Sequence, residues 1–171
     1  VHRKHHRFTD GPRDPHSPRH HPWWLVHFFI MFLKLDIGVP RDLWRDRRLR
    51  WLHDWYFETH IVLIAGIWFF LGWSWLSALY LAPAAATWHS GAVIVSLNHL
   101  MGYKNFVTND DAHNSLWTGY LTWGEGWHNN HHAAPERASF SHHWWEVDIA
   151  GWLIAIISGK PEERVYVEEK V

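Results

Sequence analysis

Residues 59–103 read THIVLIAGIWFFLGWSWLSALYLAPAAATWHSGAVIVSLNHLMGY, 45 positions without one Asp, Glu, Lys or Arg. At about 1.5 Å per residue this is roughly 67 Å of helix, against roughly 60 Å for two crossings of a 30 Å hydrocarbon core. The stretch predicts two membrane helices, at about residues 61–82 and 84–101, turning near Pro83. Arg41, Arg45, Arg47, Arg48 and Arg50 precede the first helix and Lys104 follows the second, while the turn carries no basic residue. The positive-inside rule then places both outer ends in the cytoplasm. A large soluble core hairpin is the alternative, but buried soluble helices rarely lack charge for so long.

Working outward, residues 22–33 (PWWLVHFFIMFL) are apolar but too short to span, which predicts a re-entrant or interfacial helix with Trp23 and Trp24 at the headgroups. Residues 160–171 (KPEERVYVEEKV) are mostly charged and predict a poorly ordered tail. The whole chain has 171 residues, the length of one domain. Its 16 Lys plus Arg balance 17 Asp plus Glu, so no basic field exists to gather nucleic acid. The absence of Cys excludes disulfides, thiolate nucleophiles and iron–sulfur ligation, and leaves nitrogen and oxygen to hold any metal. Two excesses stand out, 17 His and 15 Trp. Imidazole is a common metal ligand and Trp suits the wet edge of a bilayer, so the pair points to metal chemistry at a membrane.

The histidines have a spacing. His2, His5 and His6 (HRKHH) and His128, His131 and His132 (HNNHH) both spell H-x-x-H-H. In a helix, positions i, i+3 and i+4 share a face, so each motif is expected to offer three imidazoles to a common point. His99 lies five residues before Lys104, about 7 Å below the cytoplasmic boundary by helical rise, where it can join the same site or make an interhelical hydrogen bond. Seven imidazoles exceed one site and argue for two ions. Zinc and iron both suit imidazole, and a histidine-rich iron pair beside an apolar pocket would be placed for oxygen chemistry on a lipid chain.

At these residues the chain resembles the membrane fatty acid desaturases, of the Δ9 acyl-CoA or acyl-lipid type. HRKHHRFTD at 2–10 resembles the family's second histidine box, followed by Asp14, Pro15 and His16; GEGWHNNHHAAP at 124–135 resembles the third; WWEVD at 144–148 resembles the segment after it. The likeness covers about residues 1–157, leaving 158–171 as a charged tail. It implies an all-α fold, an integral, multi-pass membrane helical hairpin with cytosolic helices carrying the histidine boxes. The metal site would lie on the cytoplasmic face. It implies two iron ions (Fe2+/Fe3+), O2 as co-substrate, a fatty acyl substrate on CoA or lipid, and electrons from a separate donor such as ferredoxin or cytochrome b5. His2, His5, His6, His128, His131 and His132 match box ligands, and His99 the additional ligand on the last membrane helix. Asp14, His16, Asn98, Glu125, Asn129, Asn130 and Asp148 are polar candidates for orienting those imidazoles.

Three departures qualify the match. The family's first box and its earlier membrane helices should precede His2, so the chain is expected to be an N-terminally truncated piece, inactive if those ligands are lacking. Val95 stands where the family often has an Asn, with Asn98 nearby. His16, His20 and His21 imitate a first box, but Pro15, Pro18 and Pro22 deny them a regular helix. His142 and His143 are expected at the surface or membrane interface. A related hydroxylase or ketolase acting on a lipid or alkane, and a non-catalytic membrane metal-binding fragment, are the competing readings.

Overall fold

The uncharged stretch breaks at Gly72 rather than at Pro83. In the computed structural model, which describes residues 1–30, 33, 40–161, 164 and 165, Gly72 adopts φ 83° and ψ −179°, a conformation essentially reserved for glycine. Among the described residues nine helical segments follow one another: α1 (His2–Phe8), α2 (Trp23–Phe29), α3 (Arg41–Arg45), α4 (Arg47–Asp54), α5 (Tyr56–Leu71), α6 (Trp73–His99), α7 (Leu116–Leu121), α8 (His128–Ala133) and α9 (Ile149–Ser158). Among the described residues there is no strand; isolated bridges join Tyr103 to Asn114 and Asn114 to Trp127. The all-α expectation holds.

The chain divides into two compact parts, Asp36–Trp88 and Val1–Leu35 with His89–Val171. In Asp36–Trp88, α4 is capped by Asp46, whose Oδ1 accepts the Arg48 N–H at 2.8 Å. Beyond Gly72 the chain returns beside α5, bringing the His60 and Tyr80 rings to 6.0 Å. Pro83 lies inside α6, directly after a π-helical segment, Ser77–Leu81. That wider turn absorbs the clash and the missing N–H that a proline imposes on a regular helix, so the turn expected at Pro83, and with it the 61–82 and 84–101 boundaries, gives way to a break at 72. With 27 residues, roughly 40 Å, α6 is the one helix among the described residues long and apolar enough to cross a membrane. The 16-residue α5 is shorter, yet Val62, Phe69 and Phe70 are 70%, 76% and 80% exposed, a load of bare apolar surface that water does not favour.

In the other part, α2 leaves Trp23, Trp24, Phe28 and Phe29 exposed and buries Val26. Its His27 meets Ser96 Oγ through Nδ1 at 3.0 Å and His89 Nδ1 through Nε2 at 3.3 Å. Of the apolar run 22–33, residues 31 and 32 lie outside the described residues, as does most of the charged tail. Val165, within the tail, is fully buried and donates its N–H to Ser141 O at 2.8 Å, so the expected looseness does not extend to it. The packing centre is Trp127, whose Nε1–H donates to Val147 O at 2.9 Å and whose ring is bracketed edge-on by Tyr120 and Trp145. Gly126 has to be glycine here: a Cβ would stand 2.1 Å from Gly119 N. This close approach seats the turn before α8 against α7.

Candidate metal centre

The two H-x-x-H-H helices divide their histidines. Residues i and i+4 of a helix lie about 40° apart around its axis, whereas i+3 lies about 60° to the other side. Accordingly His2 and His6 of α1 join His131 of α8, while His128 and His132 of α8 join His5 of α1 and His99 of α6. Each group combines an i,i+4 pair from one helix with the single i+3 residue of the other. The expectation that each motif serves one point is corrected: each motif serves two.

In the four-histidine group three of the four ring orientations are fixed from behind. Nδ1–H of His5 donates to Asp14 Oδ2 at 2.8 Å, that of His99 to Asp10 Oδ2 at 3.1 Å, and that of His132 to Asp110 Oδ2 at 2.9 Å. With a proton on each Nδ1, the opposite Nε2 of each ring carries a lone pair. His128 Nε2 stands 3.0 Å from both His99 Nε2 and His132 Nε2, and one proton can bridge only one of these pairs. His5 Nε2 is buried without a hydrogen-bond partner among the described residues. In the second group the Nε2 atoms of His2, His6 and His131 lie 2.9–3.3 Å apart.

Such convergent lone pairs repel one another unless a cation lies between them, and protons are a poor choice of cation here. Burial, reinforced by neighbouring imidazoles, pushes His6 down to about 3 and His128 well below the ordinary histidine value. His2, His131 and His132 are lowered for the same primary reason. Burial works to raise Asp10 and Asp110, but the hydrogen bonds from His99 and His132 outweigh it and hold both well below the carboxylate range. Neutral imidazoles backed by ionised carboxylates are the form that binds divalent transition metals. The donor set fits the two-iron expectation as it would fit any nitrogen-preferring ion.

The remaining candidates fall into place around these groups. Asp14 also accepts the N–H of Asp10 at 2.7 Å and of His16 at 3.1 Å. His16 is buried with its ring 4.7 Å from that of His5, and its Nδ1 has no hydrogen-bond partner among the described residues. Asn98 Nδ2 donates to Gly126 O at 2.9 Å and His113 O at 3.2 Å, bracing the turn into α8, while its Oδ1 is buried and unpartnered. Asn129 and Asn130, on the back of α8, hold neighbouring loops: Asn129 Oδ1 accepts from the N–H groups of Asn105 and Phe106, both at 2.9 Å. Asp148 acts away from the histidines, accepting from Gly151 N and Phe140 N at 2.8 and 2.6 Å to cap α9. Glu125 is exposed and, among the described residues, no hydrogen bond joins it to a histidine, so both Glu125 and Asp148 depart from the expected orienting role. His20, His21, His142 and His143 lie outside both groups; His143 stacks on Trp145 at 5.2 Å.

Sequence reasoning missed Asp10, Asp110 and Glu146. Asp10 and Asp110 stand 89 and 22 residues from the imidazoles they support, so no spacing rule reaches them. The one local signal was the Asp10–Gly11 pair, a turn dipeptide that places Asp10 at φ 56° inside the second box segment.

The chain is 34% identical over 162 residues to "Delta-9 acyl-lipid desaturase 2" of Arabidopsis thaliana, covering 90% of this chain and 52% of that protein. It is 31% identical over 164 residues to "sn-2 palmitoyl-lipid 9-desaturase" of Nostoc sp., at 91% and 58% coverage, and 30% identical over 162 residues to "sn-1 stearoyl-lipid 9-desaturase" of Synechocystis sp., at 92% and 51%. It thus spans about half the length of the curated relatives it matches. With the fatty acid desaturase profile matched over residues 1–159, the chain belongs to the fatty acid desaturase family.

Proposed function

We propose that this chain forms the greater part of the metal centre of a membrane desaturase that inserts a double bond into a long-chain fatty acyl group. The observation that carries the reading is the swapped division of seven imidazoles into groups of four and three. In this reading His5, His99, His128 and His132 hold one iron ion, and His2, His6 and His131 the other. A bound iron pair supplies O2-dependent removal of two hydrogens from adjacent methylenes, consuming two electrons and two protons and releasing two waters. Asp14, Asp10 and Asp110 keep the proton on Nδ1 of His5, His99 and His132, so that each Nε2 faces the metal as a lone pair. No side chain is required as nucleophile or general base.

The relatives' names specify acyl lipids, which favours a lipid over CoA as the acyl carrier here. Residues 1–157 form one desaturase unit and 158–171 a charged tail. The unit enters the membrane through α6, with α5 as the second arm of a hairpin opening to the cytoplasm, supported by the bare apolar faces of both helices and by the arginines of residues 41–50. Membrane lipid is therefore a partner, and a separate ferredoxin or cytochrome b5 delivers electrons. The test is conversion of a saturated acyl lipid by the protein expressed from its complete reading frame, loaded with iron, in vesicles with reduced ferredoxin. A monounsaturated product is expected; a hydroxylated product, or none from iron-loaded protein, overturns the assignment.

A further inference from the structure

A helix of six residues has few internal hydrogen bonds with which to fix itself, so the rotation of α8 about its axis must be imposed by its surroundings. That rotation matters, because a turn of one residue, about 100°, would carry His131 out of its group and bring Asn130 or Asn129 toward the metals. The back of α8 is held through Asn130, whose side chain uses all four of its bonding positions. Its Oδ1 accepts from Asn105 Nδ2 at 2.9 Å and Asn114 Nδ2 at 2.8 Å, and its Nδ2 donates to Phe140 O and Glu146 Oε2, both at 2.8 Å.

Glu146 is the charged member of this set. It is 2% exposed and takes five donors: Tyr103 OH and Asn105 Nδ2 on Oε1, both at 2.7 Å, and Asn130 Nδ2, His142 N and His143 N on Oε2 at 2.7–2.9 Å. Those donors come from the segment after α6, from α8 and from the segment before α9, so a single carboxylate ties three lengths of chain to the back of the box helix. Burial works to raise its pKa, and the hydrogen bonds outweigh this and lower it. We propose that Glu146 is a positioning residue that sets the rotation of α8 and with it the division of the box histidines between two metal sites. The inference rests on the proposed function of those two groups.

The effect should fall unequally. His132 is held independently by Asp110. Among the described residues His131 has no such carboxylate: its Nδ1 is buried without a partner, and its ring rests on Phe140 at 4.2 Å, the residue whose carbonyl Asn130 grips. Loosening Glu146 therefore weakens the three-imidazole site first.

The test is titration of the 171-residue chain in detergent micelles with Co2+, whose visible absorption reports imidazole coordination. Wild type should bind one ion tightly and a second more weakly, the second step being lost in His2→Ala. Glu146→Gln keeps the shape but turns one oxygen into an amide facing hydrogen-bond donors; it should weaken the second step about tenfold, the range seen for residues supporting metal ligands, and shift its absorption, with the first step changed less than threefold. Tyr103→Phe removes one of the five donors and should weaken the second step by a smaller factor, so the inference remains testable if Glu146→Gln does not fold. Both steps weakened alike, or neither changed in either variant while wild type binds normally, overturns the inference and spares the functional reading. A wild-type chain that takes up no Co2+ overturns both.

Discussion

Replacing Asp110 with Asn tests the claim that carboxylates behind the imidazoles make them ligands. Asp110 accepts from Thr108 Oγ1 at 2.8 Å and Ala112 N at 3.0 Å through Oδ1, and from His132 Nδ1 at 2.9 Å through Oδ2. An Asn has one oxygen, and the two donors at the Oδ1 position fix where it must go. The amide NH2 then faces His132 Nδ1, which can only accept, and the ring is driven to the tautomer with its proton on Nε2. His132 thereby loses the lone pair aimed at the metal, although hardly an atom has moved. Disrupting such a partner typically lowers metal affinity 10–100-fold, or about 1.4–2.8 kcal/mol; the low exposure of the pair, 1% for His132 and 12% for Asp110, argues for the upper part of that range. Competition with a chelator of known affinity measures it, alongside iron content and product formation. An Asp110→Asn protein with iron affinity within twofold of wild type would show that the carboxylate does not control the tautomer.

Three further outcomes are expected. In protein from the complete reading frame, His131→Ala should abolish desaturation and lower iron content, whereas His20→Ala and His142→Ala should do neither, because they stand outside both groups; equal iron loss in all three variants would readmit the decoys. The metal-free chain should lose thermal stability as pH falls from 7 toward 4. His6 and His16 are lowered by burial to about 3 and 4, so the unfolded state, with imidazoles near 6.5, binds more protons throughout that window, and a melting midpoint that holds or rises on acidification contradicts this. In sealed vesicles, protease added to the cytoplasmic face should cleave near both termini; cleavage of the tail from the opposite face alone refutes the hairpin topology.

The histidine groups were legible because their rule is local: H-x-x-H-H survives as spacing within a single helix, and both copies are short enough to read. The uncharged stretch was legible because 45 residues without a charge stand out in the sequence itself. What could not be read depends on neighbours distant in sequence. Asp10 and Asp110 are chosen by the tertiary position of His99 and His132, and Glu146 by three segments meeting behind α8. The turn was misplaced because Pro83 is the stronger breaker on intrinsic grounds, yet a π-helical turn accommodates it, while Gly72, unremarkable in an apolar run, adopts the one conformation other residues refuse.

The swapped division of the histidines also explains why two copies of one motif are needed. Had each motif served one ion, α1 and α8 could bind metal separately, and their mutual register would be free. If, as proposed, each ion takes an i,i+4 pair from one helix and the i+3 residue from the other, neither group is complete until the helices dock, and a slip of either by one turn spoils both at once. On that reading metal binding and helix docking are one equilibrium. The four-imidazole group, with three rings braced by carboxylates and a third helix contributing His99, should assemble first and present His2 and His6 to His131. The three-imidazole group, built on that docking and braced by Glu146 only through Asn130, depends on it, and this order of assembly makes its ion the more easily lost.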